Sequence, residues 1–191
     1  GPNYANQPGR KRLSPMDERP YWADLVFGDF DNDGWQDFIA MDRRDGSSRR
    51  EGRSVFYRNQ GDGTFEPIPQ QVSGIDAKGI SGEAADFNND GRLDLIFAAD
   101  PDNSGGYRRE DASERYRDKV FLGTGAGGSE NHWLRLRFSG VTHHELAGAR
   151  VTATTGDHTQ LRTIFSAHAY KSSGPMEAHF GLGEATNVDV E

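Results

Sequence analysis

The stretch Asp29-Phe30-Asp31-Asn32-Asp33-Gly34-Trp35-Gln36-Asp37 places side-chain oxygens at positions 1, 3, 5 and 9, with the main-chain carbonyl of Trp35 at position 7. Alternate residues of a tight loop point inward, and the glycine at position 6 permits the sharp turn. Such an all-oxygen set suits Ca²⁺, which takes roughly six to eight hard oxygen ligands. Asp86-Phe87-Asn88-Asn89-Asp90-Gly91-Arg92-Leu93-Asp94 repeats the scheme, with a neutral amide oxygen from Asn88 and the Arg92 carbonyl at position 7. The predicted ligands are Asp29, Asp31, Asp33, Trp35 and Asp37 in one copy, and Asp86, Asn88, Asp90, Arg92 and Asp94 in the other, for about two calcium ions. An EF-hand is excluded, because it requires glutamate at position 12 and flanking helices, whereas Ala40 and Phe97 stand there between strand-like runs. The plain alternative is a metal-free turn rich in Asp, Asn and Gly. Two aligned copies, each gathering carboxylates that repel one another without a cation, favour the ion.

The elements that must hold these loops read as strands. Leu25 to Ala40 aligns without a gap to Gly82 to Phe97, an internal repeat with an offset of 57 residues. Strand-like runs cover Trp22 to Phe27, Asp37 to Met41, Ser54 to Arg58, Glu83 to Phe87, Asp94 to Ala99 and Lys119 to Leu122. Charged stretches, Arg43 to Arg53 and Asp102 to Asp118, read as exposed loop insertions, and Asn3 to Pro20 as an irregular lead-in. From about Asn131 the character changes. His132 to Phe138 alternates strictly, with Trp133, Arg135 and Arg137 on one face and Leu134, Leu136 and Phe138 on the other. Ala149 to Thr155 and Thr159 to Phe165 read as a hairpin around Gly156-Asp157-His158, followed by strands at Met176 to Leu182 and Asn187 to Val190. The expected architecture is all-β: a lead-in over 1–20, two repeats at about 21–80 and 81–130 forming part of a propeller, and a small β domain over 131–191.

Composition bounds the rest. The 191 residues carry a formal charge of -8 and a mean hydropathy of -0.82. No run approaches the roughly 18 apolar residues of a spanning helix, so membrane insertion is not expected. The negative balance argues against nucleic acid and for cations. Zero cysteines exclude disulfides, thiolate metal sites and a cysteine nucleophile, and leave the compartment open. Gly1-Pro2 at the start reads as a processing or cloning scar.

The strand, D-x-[DN]-x-D-G-x-x-D loop and strand resemble the FG-GAP/VCBS-type calcium repeats of integrin-like β-propellers. Tyr57-Arg58-Asn59-Gln60-Gly61-Asp62-Gly63-Thr64-Phe65 matches the turn that follows each such loop. Asn131 to Leu134, Gly148 to Val151 and His179 to Gly183 resemble the ASPIC/UnbV domain, found after these repeats in cartilage acidic protein relatives and in UnbV proteins of enediyne gene clusters. The resemblance implies an extracellular or cell-surface module for adhesion or interaction, stabilised by calcium. Because a closed propeller typically needs about four to eight blades, it also implies that the chain is the C-terminal part of a longer protein. The family's C-terminal domain usually continues past Val188-Asp189-Val190, so the end at Glu191 reads as a clipped or early stop.

Other polar groups offer less. His143, His144, Glu145, His168 and His179 lack the spacing of a zinc site, Ser172-Ser173-Gly174 lacks a nucleophile elbow, and the arginines of 43–53 are interleaved with acids. No catalytic group stands out. The favoured function is a calcium-binding extracellular interaction module with a protein or glycan partner. The alternatives are an accessory protein or enzyme of a biosynthetic pathway, and a structural spacer of a surface protein. Trp133, Arg135 and Arg137 form either a partner surface with the charged insertions, or a second core layer covered by arginine stems. The two loops, sharing no ligand in sequence, are expected to act independently unless the blades pack so that one braces the other.

Overall fold

A computed structural model describes residues 22–42, 54–77, 79–98, 118–124, 130–165 and 174–191. The lead-in, the 43–53 insertion, nearly all of the 102–118 insertion, His168 and the Ser172-Ser173 pair lie outside the described residues. The chain is mostly β, built of open sheets that fit part of a propeller, with no closed barrel among the described residues.

The first sheet is a four-stranded antiparallel meander, β1 (Trp22–Gly28), β2 (Asp37–Asp42), β3 (Val55–Asn59) and β4 (Phe65–Ile68), in sequential order. The second is β5 (Ser81–Ala85), β6 (Asp94–Ala98) and β7 (Lys119–Phe121), again in order. Each nine-residue loop is thus the connection between the first two strands of its sheet. Alternation decides the packing. Val26, Ile39 and Met41 of the first sheet face Leu95 and Phe97 of the second, with Ile75 and Ala77 closing the core between them. On the opposite face, Phe38 packs on Phe27, Tyr57 and Phe65, while Leu25, Phe27 and Phe65 stay exposed.

Some boundaries differ from the sequence reading. The fifth strand runs from Ser81 to Ala85 rather than to Phe87, because Asp86 and Phe87 already belong to the loop, the Phe87 N–H donating to Asp94 Oδ2 at 2.9 Å. β4 was not anticipated. Gly61 and Gly63, both at positive φ, reverse the chain after β3, and the strand's Pro67 is tolerated because β4 is an edge. A single turn of helix, α1 (Gln70–Ser73), ends at Gly74 in the left-handed conformation.

The C-terminal part holds β8 (His132–Arg137), the short α2 (His143–Leu146), β9 (Arg150–Thr155), β10 (His158–Thr163), β11 (Glu177–Gly183) and β12 (Asp189–Val190). β9 lies between β10 and β12, and β11 pairs with β8. His158 belongs to the hairpin strand, so the turn is Gly156-Asp157. Val151, Ala153, Ile164, Ala178 and Phe180 form the core, with Leu134, Leu136 and Phe138 packed on it as the alternation requires.

Candidate metal centre

In the first loop the main chain and the carboxylates define each other. Asp29 Oδ1 accepts the Asp33 N–H at 3.0 Å, and Oδ2 accepts the Gly34 N–H at 2.9 Å. Asp33 Oδ1 accepts from Trp35 N at 2.8 Å. Asp37, the first residue of β2, accepts from Phe30 N at 3.1 Å and from Asn59 N at 2.8 Å, tying the loop to the end of β3. Asp29, Asp31 and Asp37 are buried and can each present an oxygen within 4.8 Å of the others. Asp33 is more exposed, on the rim. Arg58 Nη2 stands 2.5 Å from Asp31 Oδ2 and 3.8 Å from Asp33 Oδ2.

The second loop repeats this atom for atom at its ends. Asp86 Oδ1 accepts from Asp90 N at 3.0 Å and Oδ2 from Gly91 N at 3.0 Å. Asp94 accepts from Phe87 N at 2.9 Å and Gly123 N at 2.8 Å. The middle differs. Asn88 Nδ2 donates to Asp90 Oδ2 at 2.9 Å, and Arg92 Nη2 reaches the same oxygen at 2.7 Å. Among the described residues only the first loop's three aspartates converge as a group of acids. Trp35 and Arg92 occupy position 7 of their loops; Trp35 packs its ring on His158, with centroids 4.2 Å apart.

Burial raises Asp29 to about 7, reinforced by the charge of Asp33 and opposed by the Gly34 N–H. Asp37 also rises to about 7 through burial, against the Asn59 N–H, and Asp31 rises through burial and the charge of Asp33. In each case burial is the leading cause, and a neighbouring carboxylate adds to it. Burial opposes it, but hydrogen bonds from the Arg92 N–H and the Asn88 amide hold Asp90 below the ordinary carboxylate range.

Residues 29–97 match the family model described as FG-GAP-like repeat, and residues 141–190 match the one described as ASPIC and UnbV. The chain is 31% identical over 178 residues to cartilage acidic protein 1 of Mus musculus and of Homo sapiens, and 30% identical to that of Xenopus tropicalis. An FG-GAP-like repeat here precedes an ASPIC/UnbV domain, in a chain homologous to cartilage acidic protein 1. These alignments take in 87% of the chain but 24% of each relative, so the chain spans about a quarter of the length of the curated relatives it matches. No solved structure matches the chain.

Strands β8 and β11, leading into and lying within the ASPIC/UnbV domain, cover both loops. The Gly181 N–H donates to Asp29 Oδ2 at 3.1 Å, and Arg135 Nη1 donates to Asp86 Oδ2 at 2.8 Å: the same oxygen of the equivalent aspartate in each repeat. Asn131 Nδ2 donates to Asp31 O at 2.9 Å, Gly183 N to Asn32 O at 2.8 Å, and Arg135 and Arg137 both reach Asn89 Oδ1. His179, lowered to about 4 by burial, shares a hydrogen bond with Gly91 O at 3.1 Å and stacks with Trp133. The face carrying Trp133, Arg135 and Arg137 docks on the second loop through Arg135 and Arg137, while Trp133 and the Arg137 side chain stay partly exposed.

Sequence reading named Arg135 on a candidate partner face and Arg58 and Gly181 within matching segments, but connected none of them with the loops, nor did it single out Asn32 and Asn89. For the asparagines a signal existed. Both occupy position 4 of their loops and adopt positive φ, 57° and 62°, a conformation that Asn tolerates better than most residues. Nothing local in the sequence pairs Gly181 with Asp29, 152 residues away.

Proposed function

We propose that the chain is a calcium-binding, extracellular interaction module in which the metal loops stiffen the repeats and lock the ASPIC/UnbV domain onto them. The convergence of Asp29, Asp31 and Asp37 carries this reading. The donors are hard oxygens, they are buried, and among the described residues their positive complement is the half-buried Arg58 with Arg162 near Asp29, which leaves a deficit that a divalent cation fills. In this reading Asp29, Asp31, Asp33, Asp37 and the Trp35 carbonyl hold one ion, and Asp86, Asn88, Asp90, Asp94 and the Arg92 carbonyl face a second. The division into repeats at about 21–80 and 81–130, with a C-terminal domain from 131, belongs to the same proposal. Extracellular location and an interaction role are supported by the homology with cartilage acidic protein 1; a protein or glycan partner belongs to the proposal itself.

Calorimetric titration of chelator-stripped protein with calcium chloride tests the metal, with heat saturating in the ~10⁻⁴ to 10⁻³ M range of extracellular modules as the expected result. An absence of heat refutes it. A binding screen against glycans and cell-surface proteins tests the partner, and an empty screen favours the spacer instead.

A further inference from the structure

The two loops repeat in sequence, yet the side chains around them do not repeat in charge. In the first, among the described residues, Asp29, Asp31, Asp33 and Asp37 face a single ion-paired guanidinium, that of Arg58, which leaves a formal balance of -3. In the second, position 3 is the neutral Asn88, and Asp86, Asp90 and Asp94 face two guanidinium groups, Arg135 and Arg92, which leaves -1. One more arginine adds to each side, Arg162 acting on Asp29 by charge and Arg137 bonded to Asn89, which leaves the difference between the loops unchanged.

The difference concentrates on one atom. Oδ2 of the position-1 aspartate takes the main-chain N–H of the position-6 glycine in both loops and then a second donor from the C-terminal strands. In the first loop that donor is the neutral Gly181 N–H; in the second it is the charged Arg135 guanidinium. Arg135 is well placed to act there. Its side chain is 10% exposed and that of Asp86 0%, so water screens the pair little. A second hydrogen bond to Asn89 Oδ1 at 2.8 Å fixes its plane.

We infer that the loops are unequal cation sites: the first is the tight one, and in the second the Arg135 guanidinium supplies part of the positive charge that the ion supplies in the first, so that Arg135 sets a weaker affinity there. The inference rests on the calcium reading and goes beyond it by assigning the asymmetry to one residue outside both loops. Ligand charge count is a principal determinant of calcium affinity, and a fixed positive charge beside a ligand lowers the affinity for a divalent ion. Arg135 is a positioning residue, since it acts through the Asp86 carboxylate that it holds.

Calorimetric titration with calcium chloride alone separates the possibilities. Wild-type protein is expected to show two classes of site, with Asp29→Ala removing the tight class and Asp86→Ala the weak one. Arg135→Gln is expected to tighten the weak class at least about tenfold, the effect that removing one unit charge ~6 Å from a divalent ion has even at water-like dielectric. Arg135→Lys, which keeps the charge, leaves it weak. A merely structural role for Arg135 predicts the opposite sign, because loosening Asp86 weakens the site in both variants. Two equal sites in the wild type, or a weak class that Arg135→Gln leaves unchanged or weakens, overturn the inference while calcium binding stands. An absence of calcium heat in the wild type overturns both.

Hydrogen exchange on the unmodified protein gives a second reading that needs no variant. In chelator, the Asp90 and Gly91 amides are expected to exchange at least about tenfold more slowly than the equivalent Asp33 and Gly34 amides, and calcium is expected to close the gap. Equal exchange of the two pairs in chelator counts against the inference.

Discussion

Asn32 donates its side-chain amide to the main-chain carbonyl of Gly91 at 3.1 Å, so the acidic loop of one repeat bonds directly to the acidic loop of the next. Asn32 is 2% exposed, and the same Gly91 carbonyl also meets His179 of the ASPIC/UnbV domain. Three parts of the chain thus converge on one carbonyl. The loops, which share no ligand in sequence, brace each other in space.

This contact predicts non-additivity. Asn32→Ala removes the bridge and leaves a residue in the left-handed region without the tolerance of asparagine, a destabilisation of about 1–3 kcal/mol. Asp29→Ala and Asp86→Ala are then expected to show a coupling energy above ~0.5 kcal/mol in a double-mutant cycle, read from urea midpoints. The same cycle in the Asn32→Ala background should lose most of that coupling. Additive single mutants would show that the bridge carries no energy.

Chelation gives the next outcome. With ~1 mM Ca²⁺ and a Kd of ~0.1 mM, occupancy of the first loop stabilises the folded chain by RT ln(1 + 10), about 1.4 kcal/mol, provided the unfolded chain does not bind. For a chain of this length that corresponds to a melting temperature about 3–6 °C higher in calcium than in chelator. Thermal scans in the two buffers check it, and coincident transitions would count against the metal.

The parts of this arrangement that were legible in the sequence are those whose causes are local. The oxygen spacing of Asp29 to Asp37 and Asp86 to Asp94 is visible because one loop supplies every residue of it, and β2, β6 and β8 follow from short apolar runs. β4 escaped because Phe65-Glu66-Pro67-Ile68 is short and carries a proline, which only its edge position excuses. Arg135 and Gly181 escaped for a different reason. Their partners lie 49 and 152 residues away, and no periodicity encodes which face of a strand meets which loop.

Protonation of the first loop has a definite sign. Asp29 and Asp37 are raised to about 7 in the folded chain, above the ordinary aspartate value of 3.8. A group raised on folding contributes stability below its unfolded value and loses it as pH climbs through the folded one. In chelator, the contribution of this loop to stability should therefore fall between about pH 4 and pH 7. Asp31 and Asp33 face the same space and sharpen the effect, while Arg58 on Asp31 and Arg162 near Asp29 moderate it. Calcium requires the deprotonated carboxylates, so its affinity should rise over the same window. The difference in melting temperature between calcium and chelator buffers should widen with pH. A difference constant from pH 5 to pH 8 would contradict the assignment.

Two glycines should prove intolerant, and for the same reason. A Cβ on Gly181 would collide with Asp29 Oδ2 and lie 2.5 Å from the main chain of Asn32, so alanine there separates β11 from the first loop. At Gly91 a Cβ would run into the Trp133 indole, and its φ of +85° already disfavours any other residue. Each substitution is expected to destabilise by about 1–3 kcal/mol or more, the range for overpacking a close contact. The two should differ in where the damage appears. Gly181→Ala attacks the first loop's Asp29, so calcium affinity at the tight site should drop along with stability. Gly91→Ala attacks the Trp133 stack on His179, so the loss should register in the indole fluorescence and in hydrogen exchange of β8, with the first loop's calcium affinity changed less. A Gly181→Ala protein with wild-type melting temperature and calcium affinity would mean that β11 does not sit on Asp29 in solution.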